Sequence, residues 1–295
     1  MGLLDILLDV TTMTAILLAV SLVAIVGIGR LRSIYRYGLR TRLSEVLPYL
    51  VFLALVLGTM ATLREVGTDV SWLFGIDIGT YIHTFEGDTV IGWLQSFESP
   101  LVTSYFSWIY IYAYVYLLAF PFLAYLLASD LRSFRLLSLA YAFNYVVGIL
   151  LYVTFIAYGP RNYPIGVEQL LYDTWPQSQL LTSEVNTNTN VFPSLHTSVS
   201  ATIAIFAVKT RDLYPLWAFV SVPLAVSVWI ATMYLGIHWA TDVVAGLVLA
   251  VVSVWFAERY LDQFSRFIQR TWGWALDALR RFLSQARESY HSVRR

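Results

Sequence analysis

The chain has 295 residues, of which 58% are hydrophobic and only 13% are charged. Several apolar runs are long enough to cross about 30 Å of hydrocarbon, which takes roughly 20 helical residues, so a water-soluble globular protein is excluded. No cysteine occurs, which excludes disulfides, thiolate nucleophiles and cysteine metal sites. The composition therefore predicts an all-α fold, a polytopic membrane helix bundle.

About seven membrane spans are predicted, the fifth of them short. In chain order their approximate bounds are 11–29, 46–63, 104–128, 134–158, 194–209, 214–235 and 238–257. We expect the last six to form a six-helix membrane domain at 46–257. An extra helix and an Arg-rich loop at 1–45 precede this domain, and a tail at 258–295 follows it. The first span lacks the flanks of a signal peptide, so we expect it to be retained.

Basic residues sort to one side of the membrane when the spans alternate in direction. That side holds 17 of the 19 Lys and Arg residues, and the two exceptions are Arg64 and Arg161. Because basic residues concentrate in cytoplasmic loops, the C-terminus is predicted to be cytoplasmic. The loop at 159–193 and the starts of the fifth and seventh spans are then extracytoplasmic.

Two regions outside the spans have patterns of their own. The segment 64–103 is predicted to be external, carries scattered acidic and aromatic residues, and is expected to contain a short interfacial or re-entrant helix near 78–97.

After residue 257, apolar residues recur at helical spacing between arginines. This pattern predicts either an amphipathic helix on an anionic cytoplasmic leaflet or a helix packed against the bundle.

Two short stretches place a histidine at the edge of a long apolar segment. The first, 192–198, reads FPSLHTS, and the second, 234–242, reads YLGIHWATD. An ionisable group is costly to keep there, which makes each histidine a functional candidate. His238 and Asp242 are four residues apart, so on a helix they share a face. The carboxylate can then accept a proton from one ring nitrogen and leave the other free to attack.

These stretches resemble motifs of the type 2 phosphatidic acid phosphatase superfamily, whose second motif reads P-S-G-H and whose third ends H-x-x-x-D. Here 193–196 matches the second motif and 238–242 matches the third. The likeness is closer to the branch that includes the inositol phosphorylceramide synthases, where P-S-L-H occurs together with Y-x-x-x-H-x-x-x-D-x-x-x-G. That longer pattern runs from Tyr234 to Gly246, and the resemblance covers about 100–257.

The resemblance implies a metal-independent phosphoryl transfer in two steps through a phosphohistidine. His238, oriented by Asp242, would be the nucleophile, and His196 would protonate the leaving alkoxide. Ser194 lies near the start of the fifth span, where backbone N–H groups favour an anion. Arg161 is our choice for the first-motif arginine, because a guanidinium can bind phosphate with two parallel hydrogen bonds. We expect both imidazoles to face one pocket beside Arg161.

Two cations of the superfamily pattern are absent. Thr154 stands where the first motif has lysine, and Thr232 where the third has arginine. Either Asn162, Tyr163 and Tyr234 share the phosphate contacts with Arg161 and helix N–H groups, or the activity is weak or absent. The first reading favours the branch that passes phosphoryl headgroups between alcohols.

The predicted function is an integral membrane lipid phosphotransferase or phosphatase, with transfer of a phosphoinositol-type headgroup to a lipid alcohol as one form of it. A phospholipid, polyprenyl or sphingoid lipid would enter from the bilayer, and no cofactor, metal ion or nucleic acid is expected. Zinc held by His196, His238 and Asp242 is set aside, because Asp242 serves better as the partner of His238. The alternatives are a simple lipid phosphate or polyprenyl diphosphate phosphatase, and a non-catalytic transporter or scaffold with the same fold.

Overall fold

A computed structural model describes residues 2–163, 166–175 and 191–293 of the chain. The helices in chain order are α1 (Leu3–Ser21), α2 (Ile28–Tyr37), α3 (Leu39–Phe74), α4 (Gly79–Glu86), α5 (Thr89–Gln95), α6 (Pro100–Trp108), α7 (Tyr114–Leu126), α8 (Arg132–Thr154), α9 (Leu170–Thr174), α10 (Leu195–Lys209), α11 (Pro215–Tyr234) and α12 (Ala240–Val293). Short π-helical segments follow α1 (Leu22–Val26) and α6 (Ile109–Ala113), and Pro160–Asn162 is a 3-10 turn. Two short parallel strands, β1 (Ile76–Asp77) and β2 (Phe155–Ile156), pair Ile76 with Phe155.

Among the described residues, six helical segments are long and apolar enough to cross a membrane. They are Leu3–Val26, Leu39–Gly67, Pro100–Leu126, Arg132–Thr154, Pro215–Tyr234 and Ala240–Gln285. The seventh apolar helix, α10, has only 15 residues. The predicted all-α polytopic bundle is therefore confirmed, and the chain is an integral membrane protein.

Two helices extend well beyond the predicted spans. The second span lies within the 36-residue α3, and the seventh continues without a break through the tail in the 54-residue α12. Charged residues end the part of a helix that can lie in hydrocarbon, but they do not interrupt its backbone hydrogen bonds. The sequence pattern therefore predicts where a span ends better than where its helix ends.

The tail differs between its first part and the rest. Leu261, Phe264 and Ile268 are buried in the main core, where Phe264 packs edge-on against Tyr49. Further along, apolar side chains such as Phe282 are exposed. The first part of the tail thus packs against the bundle, and the rest presents an apolar surface.

The short helix α10 lies at the centre of the bundle, in contact with α7, α8, α11 and α12. Two of its small polar residues bond to neighbouring helices, since Asn144 of α8 donates to Ser198 and Trp229 of α11 donates to Ser200. Because protein surrounds it, this helix needs neither the length nor the uniform apolarity of a lipid-facing span. Its first turn carries the first histidine motif.

The expected short helix near 78–97 is two helices, α4 and α5. The break falls at Gly87, whose φ of 60° lies in the left-handed region that favours glycine. The first of the two contacts α12 and the second contacts α11. Both helices therefore lie against the segments that flank the second histidine motif.

Candidate functional site

The two histidine motifs meet at one end of the bundle, which we call the histidine end. His196 is the second residue of α10, His238 lies in the turn between α11 and α12, and their ring centroids are 6.2 Å apart. The Ser194 N–H donates a hydrogen bond of 3.0 Å to the Asp242 carbonyl. A backbone contact thus joins the two stretches directly.

Two glycines allow this close approach. Gly236 has a φ of 71°, which side-chain-bearing residues rarely adopt, and it shapes the turn that carries His238. Gly246 faces the start of α10, where an added Cβ would lie 2.6 Å from the Ser194 carbonyl oxygen. The last position of the motif pattern is therefore glycine because α12 and the P-S-L-H turn touch there.

His238 is held by the carboxylate one turn further on. Its Nδ1 lies 3.3 Å from Oδ2 of Asp242, and both side chains are buried. The same oxygen accepts the Trp239 N–H at 2.9 Å, which fixes the carboxylate in place. Burial, and then the positive charge of Arg161, lower the pKa of His238. The ring is therefore held in its neutral form, which has a lone pair for attack.

Arg161 reaches the site from the 3-10 turn after β2. Its backbone N–H donates to the Gly236 carbonyl at 3.1 Å, so this loop is tied to the turn that carries His238. Its guanidinium lies 4.7 Å from the centroid of the Tyr172 ring, a cation–π arrangement. Arg161 is thus placed beside His238, and the Tyr172 ring packs against one face of its guanidinium.

Ser194, Asn162 and Tyr163 border the same region. Ser194 is the N-cap of α10, fully buried, and its Oγ accepts the Thr197 N–H at 3.3 Å. Asn162 is exposed beside Arg161. The Tyr163 ring stacks on His83 at 4.8 Å, so this tyrosine packs against α4.

The sequence profile of the PAP2 superfamily matches residues 80–256, more than half of the chain. The chain belongs to the PAP2 superfamily. No individual curated protein and no solved structure matches it. PAP2 proteins are generally phosphatases and phosphotransferases, of the type that acts on lipid phosphates. The match begins some 20 residues before the resemblance recognised from the motifs, so it includes both α4 and α5.

The two threonines that the sequence places at the superfamily's cation positions bond within their own helices. Thr154 lies on the exposed side of α8, and its hydroxyl donates to the Leu150 carbonyl at 2.8 Å. Thr232 is fully buried in α11, and its hydroxyl donates to the Trp229 carbonyl at 2.8 Å. Neither hydroxyl replaces the missing charge.

Tyr234, the first residue of the longer pattern that runs to Gly246, makes a contact between helices. It is buried, its hydroxyl lies 2.6 Å from Thr103 Oγ1, and its ring packs on Phe106 at 4.9 Å. These contacts join α11 to α6. The other predicted site residues gather around His238, whereas the hydroxyl of Tyr234 is already engaged by Thr103.

Glu86 is a site residue that the sequence did not reveal. From the end of α4, its carboxylate accepts hydrogen bonds from the Ala240 N–H at 2.7 Å, the Thr241 N–H at 2.9 Å and the Thr241 hydroxyl at 2.9 Å. It therefore caps the N-terminus of α12 immediately after His238. An N-cap normally comes from the residue just before the helix, so nothing in the sequence indicates a cap 154 positions away.

Two tyrosines that enclose His196 were also missed. The Tyr110 ring stacks on the imidazole at 4.7 Å, and the Tyr114 ring lies at 4.5 Å and 41° to it. The π-helical segment Ile109–Ala113 includes Tyr110 and directly precedes Tyr114, and such segments are frequent at functional sites. The aromatic run at 105–116 was the available signal, but it also fits an ordinary span.

Proposed function

We propose that this PAP2 protein transfers the phosphoryl headgroup of a membrane lipid through His238. The observation that carries the proposal is the 6.2 Å approach of the two imidazoles, with Asp242 bonded to Nδ1 of the His238 ring. A phosphorus atom between the rings would be within reach of both. One ring would attack the phosphorus, and the other would donate a proton to the leaving oxygen.

The first step forms a covalent intermediate. The His238 nitrogen remote from Asp242 attacks phosphorus, and the bond from phosphorus to the lipid alkoxide oxygen breaks. His196, which is protonated when the anionic donor binds, donates this proton to that oxygen, so the lipid alcohol leaves neutral. Asp242 stabilises the positive charge that develops on the His238 ring.

The second step returns the enzyme to its starting state. An acceptor hydroxyl, from water or an alcohol, gives its proton to His196 and attacks the phosphorus. The nitrogen–phosphorus bond breaks, and His238 is neutral again. Water as acceptor makes the protein a phosphatase when the donor is a phosphate monoester, and an alcohol as acceptor makes it a phosphotransferase.

The missing cations favour a donor with little charge. Arg161 and the N-terminal N–H groups of α10 behind Ser194 are positive groups beside the histidines. A phosphate monoester carries close to two negative charges at neutral pH, whereas a phosphodiester carries one. A phosphodiester lipid, such as a phosphoinositol-type donor, needs fewer cations and suits this site better.

The charge bias of the loops supports an orientation for this chemistry. With the arginine-rich loops and the C-terminus in the cytoplasm, the histidine end faces the extracytoplasmic side of a plasma or inner membrane. Asn162 and Tyr163 would then meet the headgroup at the rim of the site. The substrate would enter from the outer leaflet.

Trapping of the intermediate tests the proposal. Purified protein is mixed with lipid donors labelled in the headgroup phosphate and quenched in alkaline denaturant, because the nitrogen–phosphorus bond is labile in acid. We expect labelled protein with the wild type and none with His238→Ala, whose turnover should fall at least about 1,000-fold. His196→Ala should slow labelling by about 100-fold. His291→Ala, in the tail, is the matched control and should behave as wild type.

The acceptor decides between the two activities. Release of inorganic phosphate from monoesters without an alcohol would support a simple lipid phosphate or polyprenyl diphosphate phosphatase. Label in a new lipid only when an alcohol is supplied would support a transferase. A folded wild-type protein that no donor labels or turns over would refute the proposed chemistry and support a transporter or scaffold.

A further inference from the structure

A second polar cleft lies at the end of the bundle opposite the histidines. Three adjoining cavities of about 300, 310 and 430 Å³ share Arg135 as a lining residue, and we call them together the Arg135 cleft. The cleft lies between the start of α3, the N-terminus of α8 and the middle of α12. Ser265 of α12 lines it about 25 residues after the helix begins, or roughly 38 Å at about 1.5 Å per residue. That distance exceeds the hydrocarbon core of about 30 Å, so the cleft lies at the depth of the opposite headgroups.

Four arginines line the Arg135 cleft, and none has a carboxylate within 4 Å among the described residues. Arg42 uses its donors on the carbonyls of the α7–α8 loop. For Arg135, the hydrogen bond given by the structure is a long one of 3.4 Å to the Leu131 carbonyl, and Arg132 and Arg266 are exposed. Most of their N–H groups are therefore available to a ligand.

Three carboxylates line the cleft as well, one fewer than the arginines. Asp130 accepts the Arg132 N–H at 2.8 Å and so caps α8. Glu45 and Asp262 are exposed at the edges of the cavities. The four arginines and the positive end of the α8 dipole leave the cleft with an excess of positive charge.

Two buried hydroxyls point independently to a ligand. Tyr49 lines the cleft beside Arg135 and is only 3% exposed, yet its hydroxyl has no hydrogen-bond partner in the part of the chain that the structure describes. Ser265 lines it beside Arg266, and its buried hydroxyl likewise lacks a partner there. Buried hydroxyls normally have partners, so two of them in one arginine-lined cleft are typical of a site that binds an acceptor.

We propose that the Arg135 cleft binds the phosphate headgroup of an anionic phospholipid from the leaflet at that end of the bundle. The guanidiniums of Arg135 and Arg266 would bind the phosphate oxygens, and the hydroxyls of Tyr49 and Ser265 would donate to the headgroup. Val46 and Leu131 offer apolar surface for the glycerol and upper acyl chains. Basic pockets between membrane helices are suited to such lipids. The site is independent of the histidines and does not rest on the proposed reaction.

Lipid binding by the full-length protein in detergent tests this site. Native mass spectrometry and thermal unfolding are measured with phosphatidylglycerol, phosphatidylcholine or inorganic phosphate. We expect phosphatidylglycerol to bind and to raise the melting temperature, and the other two to do neither. Arg135→Gln should weaken phosphatidylglycerol binding about tenfold, and Tyr49→Phe about threefold.

The exposed Arg266 gives a variant that should fold normally. Arg266→Gln should weaken binding about fivefold, whereas Arg280→Gln, which removes an exposed arginine further along α12 that is paired with Asp277, should leave it unchanged. Equal binding of phosphatidylcholine would overturn the proposal in favour of a general lipid groove. Equal competition by inorganic phosphate would overturn it in favour of a soluble anion. Wild-type binding by the folded Arg266→Gln and Arg135→Gln proteins would also overturn it.

Discussion

The two ends of the helix bundle use charge in opposite ways. At the histidine end, the carboxylates are fixed: Glu86 accepts three hydrogen bonds at the start of α12, and Asp242 is buried against His238. In the Arg135 cleft, the described arginines outnumber the carboxylates and form no ion pair. Fixed carboxylates hold reacting groups in place, whereas unpaired arginines keep their donors for a ligand. Loss of a charge should therefore change turnover at the first end and lipid binding at the second.

The largest expected difference between the two ends concerns their arginines. Arg161→Gln removes the cation beside His238 and should lower kcat/KM about 100-fold, because charge that develops on the phosphoryl oxygens loses its partner. Arg161→Lys should recover part of this loss, since a lysine keeps the charge but not the two-pronged geometry. Steady-state turnover of the donor identified by labelling measures both effects.

Arg135→Gln is the matched control for Arg161, since it removes one arginine from the opposite end. Its turnover should stay within about twofold of the wild type when lipid is saturating. A loss as large as that of Arg161→Gln would show that the two ends do not act separately. Full activity of Arg161→Gln would remove this arginine from the proposed phosphate contacts.

A smaller effect is expected where the histidine end is held together. Glu86→Gln keeps the shape of the α12 cap but removes its charge, so it should lower stability by about 1 kcal/mol. Because the cap adjoins His238, kcat should fall about tenfold with little change in KM. Thermal unfolding and the rate of protein labelling measure the two effects.

Asp88→Asn is the control for the Glu86 cap. Asp88 lies two residues further along the chain, is exposed, and makes no side-chain hydrogen bond within the described ranges. This variant should match the wild type in both measurements. Glu86→Asp keeps the charge on a shorter side chain. Its stability and its kcat should therefore lie between those of Glu86→Gln and those of the wild type. A Glu86→Gln protein that is less stable but fully active would show that the cap does not position His238.

The sequence predicts the placement of the two histidines better than the tertiary contacts that hold them in place. Alternation of seven spans is enough to place His196 and His238 at one end, because the fourth and sixth spans finish where the fifth and seventh begin. Helical spacing predicts the pairing of His238 with Asp242, although His238 itself lies in the turn just before α12. The cap by Glu86 and the tyrosines around His196 come from tertiary contacts that no local pattern specifies. The length of α12 was missed because polar residues mark the membrane boundary without ending a helix.

The smallest expected effect concerns a PAP2 cation that this chain lacks. Thr154→Lys restores the lysine of the superfamily pattern, yet Thr154 lies on the exposed side of α8 and donates to its own helix. A lysine there would extend away from His238, so kcat/KM should change by less than about twofold. The contrasting change, Thr232→Arg, would force a large charged side chain into a fully buried position and should destabilise the fold. If Thr154→Lys instead raised turnover of phosphate monoesters tenfold or more, that position would face the phosphate. The preference for a singly charged phosphodiester donor would then lose its basis, because one added cation would be enough to restore phosphatase activity.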